Sequence, residues 1–160
     1  VTEKTLSDRV RDGLRAAAHR TSHPELEWER HESSTVRSVP DVRMRWATFT
    51  PWIELKVAKG RLVRFQPGQT RWLAKQWAAV PGSAWVLVGV PRHSKRVGGV
   101  MLYRGDVADM LEGVGIVALP PELYLPQPIK LPAWTELLDR LTWGGCPDEC
   151  GCSEGSDVGL

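Results

Sequence analysis

Residues 51–60, PWIELKVAKG, carry the decision about this chain. Side chains alternate along a strand, so Ile53, Leu55 and Val57 point one way while Trp52, Glu54 and Lys56 point the other. The first set is a core face. The second puts a carboxylate and an ammonium two residues apart on one face, which is either the wet side of a half-buried strand or part of a site. A solvated Glu–Lys pair contributes about 0–1 kcal/mol.

Upstream, residues 41–48 alternate Val42, Met44 and Trp46 with Arg43 and Arg45, and 26–32 also read as extended. A short turn around 47–50 would lay 41–46 beside 52–58 and bring Asp41 next to Glu54. Before these strands, TLSDRVRDGLRAAAH (5–19) has Leu6, Val10, Leu14 and Ala17 at helical spacing, with Thr5 or Ser7 as the cap. Downstream, a loop at Lys59 and Gly60 leads through RLVRF to a helix opened by Pro67 and closed at Pro81 and Gly82. AWVLVGV is a continuous apolar run of strand length, and RVGGVMLYR is its neighbour across the basic turn PRHSK. Short helices at DVADMLEG and PAWTELLDRL flank LPPELYLPQP, whose prolines suggest an extended surface connection. The order is α/β, with one central mixed sheet and helices on both sides.

The chain has 160 residues, 42% hydrophobic and 25% charged, which suits one domain large enough to bury a core. No apolar run reaches the roughly 20 residues that span a bilayer, and VTEKTLSDRV lacks a secretion signal's basic and apolar regions, so a soluble, intracellular protein is expected. Cys146, Cys150 and Cys152 fall within residues 144–160, an odd and clustered set that cannot staple a domain and lacks the paired spacing of a zinc ribbon. The same segment holds four acids and no Lys or Arg, and is expected to be a flexible tail. Residues 1–143 then form the domain, with 21 basic side chains against 15 acidic ones, compatible with a polyanionic partner. His19, His23 and His31 are close in sequence, but Pro24 interrupts the spacing and exposed histidines are the simpler account.

A carboxylate pair on adjacent strands, with a lysine further along the same face, outlines a divalent-metal site. Mg²⁺ takes carboxylates, a main-chain carbonyl and water, and phosphodiester cleavage needs such an ion to neutralise the phosphate and lower the pKa of the attacking water. Asp41, Glu54 and Lys56 can supply this chemistry. Each also has an ordinary reading, as a turn residue or a solvated ion pair.

The segments ESSTVRSVPDV and WIELKVAKGRLVRFQPGQTRWL resemble the PD-(D/E)XK nuclease superfamily, and within it the small phage and bacterial VRR-NUC-type nucleases related to Holliday-junction resolvases. The resemblance is strong over about 45 residues and extends through AWVLVGV. In that family an upstream acid precedes a G-x-PD turn, an ExK strand follows, and a glutamine precedes an aromatic on the next helix. Glu32, Asp41, Glu54, Lys56, Gln69 and Trp72 fall on those positions. Ser38 departs from the usual glycine, and Glu29 is the reserve choice for the upstream acid.

The resemblance implies a restriction-endonuclease-like fold and a Mg²⁺- or Mn²⁺-dependent endonuclease acting on DNA, with branched or junction DNA as a candidate substrate. It implies that Asp41, Glu54 and the carbonyl of Leu55 bind the metal, with Glu32 joining directly or through water. Lys56 would act at the phosphate and Gln69 would orient Lys56 or the phosphate. A homodimer in a host cytoplasm follows from the same analogy. Arg61, Arg64, Arg92, His93, Lys95 and Arg96 flank the strand's exit and the next hairpin, either as solvated loops or as phosphate contacts. The alternatives are a nucleic-acid-binding module of the same fold without turnover, and an adaptor acting through its acidic tail.

Overall fold

The computed structural model describes residues 2–31, 39–92 and 98–143. It is an α/β fold: a six-stranded, open mixed sheet with four helices packed around it. The strands are β1 (Leu26–Arg30), β2 (Val42–Trp46), β3 (Trp52–Val57), β4 (Ala84–Val90), β5 (Gly99–Arg104) and β6 (Leu123–Pro126), in spatial order β1-β2-β3-β4-β5-β6. Only β3 and β4 run parallel, because helix α2 (Gln69–Ala79) carries the chain back across the sheet between them. Every other neighbouring pair is antiparallel.

The helix α1 (Glu3–Ala18) begins earlier than its apolar periodicity suggests. Thr2, not Thr5 or Ser7, is the N-cap; its hydroxyl accepts the Thr5 N–H (3.2 Å), while the Thr5 hydroxyl oxygen accepts the Thr2 N–H (2.8 Å). Leu6, Val10, Leu14 and Ala17 then pack, with Leu137, Leu138 and Leu141 of α4 (Leu131–Trp143), onto Val42, Met44, Ile53, Leu55, Trp85 and Leu87 of the sheet. On the opposite face Leu73 of α2 and Leu111 of α3 (Ala108–Ala118) pack on Val86, Val88 and Tyr103. The sheet is therefore covered on both sides, and β4 is apolar throughout because it sits between the layers.

Two local expectations change. Pro67 lies before α2, whose N-cap is Gly68 at φ 87°. The helix after β5 runs on to Ala118, past a break at Gly115, where φ is +75° and the Arg61 carbonyl stands where a Cβ would be. The larger correction concerns LPPELYLPQP, which is no mere surface connection: Leu123–Pro126 is the edge strand β6, paired with β5 and burying Leu125. Pro126 has no N–H to give a further strand, and an edge position asks for none. The predicted tail 144–160 lies outside the described residues.

Candidate active site

The β2–β3 hairpin builds the site. Trp46 and Phe49 exchange backbone hydrogen bonds (3.0 and 2.9 Å) around the turn at Ala47 and Thr48, fixing Val42 opposite Ile53 and Arg43 opposite Trp52. One step further along this register, Asp41 meets Glu54, as the sequence suggests. The Leu55 N–H donates to Asp41 Oδ2 (3.0 Å), so the aspartate is held against β3 where the ladder ends. In an extended strand the N–H and C=O of one residue point to the same edge, so the Leu55 carbonyl also faces the Asp41 side.

The face that carries Glu54 and Lys56 is dry. Their register partners on β4 are Val86 and Val88, which belong to the core under α2 and α3. Glu54 is fully buried and Lys56 is 7% exposed, so the solvated-pair reading of these two residues does not hold. Lys56 Nζ lies 2.6 Å from Glu54 Oε1 and 5.5 Å from the centre of the Phe65 ring. Neither Glu54 oxygen receives a well-formed hydrogen bond, so the short contact to Lys56 is an ion pair without good hydrogen-bond angles. Burial therefore dominates and pushes the Glu54 carboxyl up to about 7; the Lys56 charge opposes this, while Asp41 and Glu3 add to it.

Glu3, in the first turn of α1, is thus within electrostatic reach of the site, and sequence reasoning did not find it. An acid in a first turn ordinarily serves the helix dipole, and nothing local distinguishes this one. The other acids behave differently. Glu29, the reserve choice, lies 3.9 Å from both His31 and Arg45. Glu32 is outside the described residues, as are Ser38, His93, Lys95 and Arg96.

Gln69 is buried at the start of α2, where its Oε1 accepts the Gln66 N–H (2.8 Å) and so ties the incoming loop to the first residue of the helix; Gly68, the N-cap, has no side chain to cap with. Trp72, on the same helix, meets Trp52 edge-on at 5.7 Å. The loop between β3 and α2 is pinned from α3, with Glu112 Oε1 accepting the Phe65 N–H (3.1 Å) and the Arg61 carbonyl accepting the Ile116 N–H (3.0 Å). This loop, which follows Lys56 in the chain, displays Arg61 and Arg64 in solvent. Arg92 departs from that group: it lines a groove with Arg9, Asp12, Pro128 and Trp134, against α1 and α4.

Among the described residues no three His, Cys, Asp or Glu side chains form a metal-binding group. Asp41 and Glu54 with the Leu55 carbonyl still suit a hard divalent cation, and the two buried Glu54 oxygens lacking hydrogen bonds are the atoms such an ion would satisfy. No helix among the described residues is long and apolar enough to cross a membrane. No family model, no curated protein and no solved structure matches the chain.

The raised Glu54 carboxyl has a measurable consequence. Because its folded value of about 7 lies above the ordinary 4.5, its contribution to stability is fully present below about pH 4.5 and is lost as pH rises through 7. In EDTA the protein is expected to lose about 3 kcal/mol between pH 4.5 and 8 from this group alone. Urea unfolding of the protein and of Glu54→Gln across that range isolates the effect as the difference between two slopes. Parallel slopes would mean that Glu54 is not buried as a carboxylate.

Proposed function

We propose that the protein is a metal-dependent nuclease that hydrolyses DNA phosphodiesters at Asp41, Glu54 and Lys56, on a fold of the restriction-endonuclease kind. The observation that carries this reading is the fully buried Glu54, whose oxygens have no well-formed hydrogen bond, beside Lys56 and across from Asp41. A buried carboxylate in this condition is costly to the fold, and a function that requires its charge accounts for it. The resemblance of VPDV, WIELK and GQTRW to PD-(D/E)XK nucleases supports the same reading.

A bound Mg²⁺ or Mn²⁺ supplies the charge that neutralises the phosphate and acidifies the attacking water. Asp41, Glu54 and the Leu55 carbonyl would hold it, with Glu32 as the further acid that the resemblance assigns. Lys56, held by Glu54 and Phe65, would offer its ammonium to the charge that develops on the phosphate oxygens. Gln69 keeps the start of α2 in place through Oε1 and retains its amide N–H₂ as a donor for a phosphate oxygen. Arg61 and Arg64 would follow the DNA backbone beyond the cut. Branched or junction DNA as substrate and a homodimer rest on the resemblance to resolvases.

The direct test is metal dependence. Mg²⁺ and Mn²⁺ are expected to support cleavage of a labelled duplex and of a branched substrate, whereas Ca²⁺ supports binding without cleavage because it acidifies water less. EDTA should abolish cutting. Binding in Ca²⁺ with no cutting in Mg²⁺ or Mn²⁺ would leave a DNA-binding module without turnover, and robust cutting in EDTA would require another mechanism.

A further inference from the structure

We propose that Arg43 and His31 bind the phosphate neighbouring the one that is cut, with Trp52 as the surface that holds the arginine in place. This inference rests on the nuclease reading and adds the substrate contact beside its site. The register of β1, β2 and β3 places Arg30, Val42 and Ile53 in one line across the sheet. The next line is His31, Asp41 and Glu54, and the His31 N–H donates to the Asp41 carbonyl (2.8 Å). Residues directly opposite on adjacent strands share a face, so His31 lies on the same side as the carboxylate pair. Arg43 is two residues along β2 from Asp41, again on that face, about 7 Å away along the strand.

Trp52 joins these two residues. Its ring centre is 5.4 Å from the Arg43 guanidinium carbon and 5.1 Å from the centre of the His31 ring. Beside the ring, two buried nitrogens have no hydrogen-bond partner among the described residues: Arg43 Nε and His31 Nε2. The latter is 3.9 Å from Glu29 Oε2, beyond hydrogen-bond reach. The acids of β1 on this face are engaged by another residue, Arg45, which pairs with Glu27 (3.4 Å) and Glu29 (3.9 Å). Arg43 makes no ion pair among the described residues, so a guanidinium is left with an unused donor next to the candidate site.

Packing alone does not account for this choice of residue. A methionine would cover Trp52 without a buried, unpaired N–H, and an unsatisfied donor costs a fold more than its absence does. What satisfies two donors on one face, both beside the Trp52 ring, is an anion with several acceptor oxygens, and a phosphodiester meets that requirement once the partly exposed Arg43 and His31 side chains turn these nitrogens toward it. His31 can donate through Nε2 while uncharged. Arg61 and Arg64 are exposed in the loop that follows Lys56 and β3, so a DNA strand would run from His31 and Arg43 across Asp41 and Glu54 toward that loop.

The experiment uses the whole protein and a fluorescently labelled DNA oligonucleotide whose cut site has first been mapped in Mg²⁺. Single phosphates on either side of that site are replaced by neutral methylphosphonates, and binding is measured in Ca²⁺. At one neighbouring phosphate the replacement is expected to weaken binding by about 10-fold or more. Arg43→Met should weaken binding to the unmodified DNA by a similar factor and show no further loss on that methylphosphonate, because the contact is already gone. Arg43→Lys, which keeps charge but not the fork, should recover part of the affinity, and His31→Ala should behave as a smaller version of Arg43→Met. Melting of Arg43→Met at or above the parent temperature shows that the loss is not unfolding. A full methylphosphonate penalty in Arg43→Met, added to its own loss, would overturn the proposal while leaving a cutting enzyme intact. Absence of cutting and binding by the parent protein would overturn both this and the nuclease reading.

Discussion

Glu54→Gln is expected to lower metal-dependent cleavage by about 10³-fold or more, and Asp41→Asn to do the same. Each amide keeps the size of the side chain and removes the charge that would hold the cation. The two variants should fold. In Asp41→Asn the amide oxygen can still accept the Leu55 N–H that Asp41 receives at 3.0 Å, and in Glu54→Gln the new side chain occupies the buried volume that Glu54 already fills. Their difference lies in pH. Glu54→Gln removes the group raised to about 7, so its stability should be flatter between pH 5 and 8, whereas Asp41→Asn should retain most of the slope. Single-turnover cleavage in Mg²⁺, alongside urea unfolding, measures both. Either variant cutting at near the parent rate would remove the carboxylate pair from the mechanism.

Lys56→Met is expected to lower the cleavage rate by about 10²-fold or more with little change of DNA affinity in Ca²⁺, if its ammonium acts on charge present only in the transition state. The structure adds a second route to lost activity, which the experiment has to separate. Lys56 is the largest influence opposing the rise of the Glu54 carboxyl, so its removal lets Glu54 take up a proton more readily and disfavours metal loading near neutrality. A loss of that kind recovers at higher pH and higher Mg²⁺. A loss at the phosphate does not. Rates measured from pH 6.5 to 9 at saturating Mg²⁺ therefore decide between them, and full recovery would reduce Lys56 to a counter-ion for Glu54. Lys56→Arg should rescue poorly, since a planar guanidinium does not fit the space of an ammonium 2.6 Å from Oε1 and under the Phe65 ring.

Much of the candidate site is legible in the sequence because strand alternation is a local rule. The order of residues in WIELKV separates Ile53 and Leu55 from Glu54 and Lys56 in any strand, and a short turn around 47–50 lets Asp41 meet Glu54; the structure closes that turn at Ala47 and Thr48, which leaves one register. The apolar run AWVLVGV announces a strand covered on both faces, and it is β4, Ala84–Val90. The leucines of the first helix likewise mark the face that packs on the sheet. Proline-rich LPPELYLPQP misleads because prolines signal what a segment cannot donate, and an edge strand needs to donate on only one side.

Sequence by itself thus determined which side chains share a face, most of the helices and strands though not the edge strand β6, and that Asp41, Glu54 and Lys56 can meet. Tertiary structure alone decided what covers that face. The pattern of WIELKV is the same whether water or Phe65 lies above Lys56, and only the return of the chain through α2, with the loop pinned by Glu112, makes the pair dry and drives the Glu54 carboxyl up to about 7. Distance in sequence hides the rest: Glu3 and Glu54 are 51 positions apart, and their charges interact because α1 packs on the strands that carry the site. The reason is physical. Local pattern is fixed by bond geometry and side-chain periodicity, whereas dielectric, desolvation and charge coupling depend on every group that packing brings near, whatever its place in the chain.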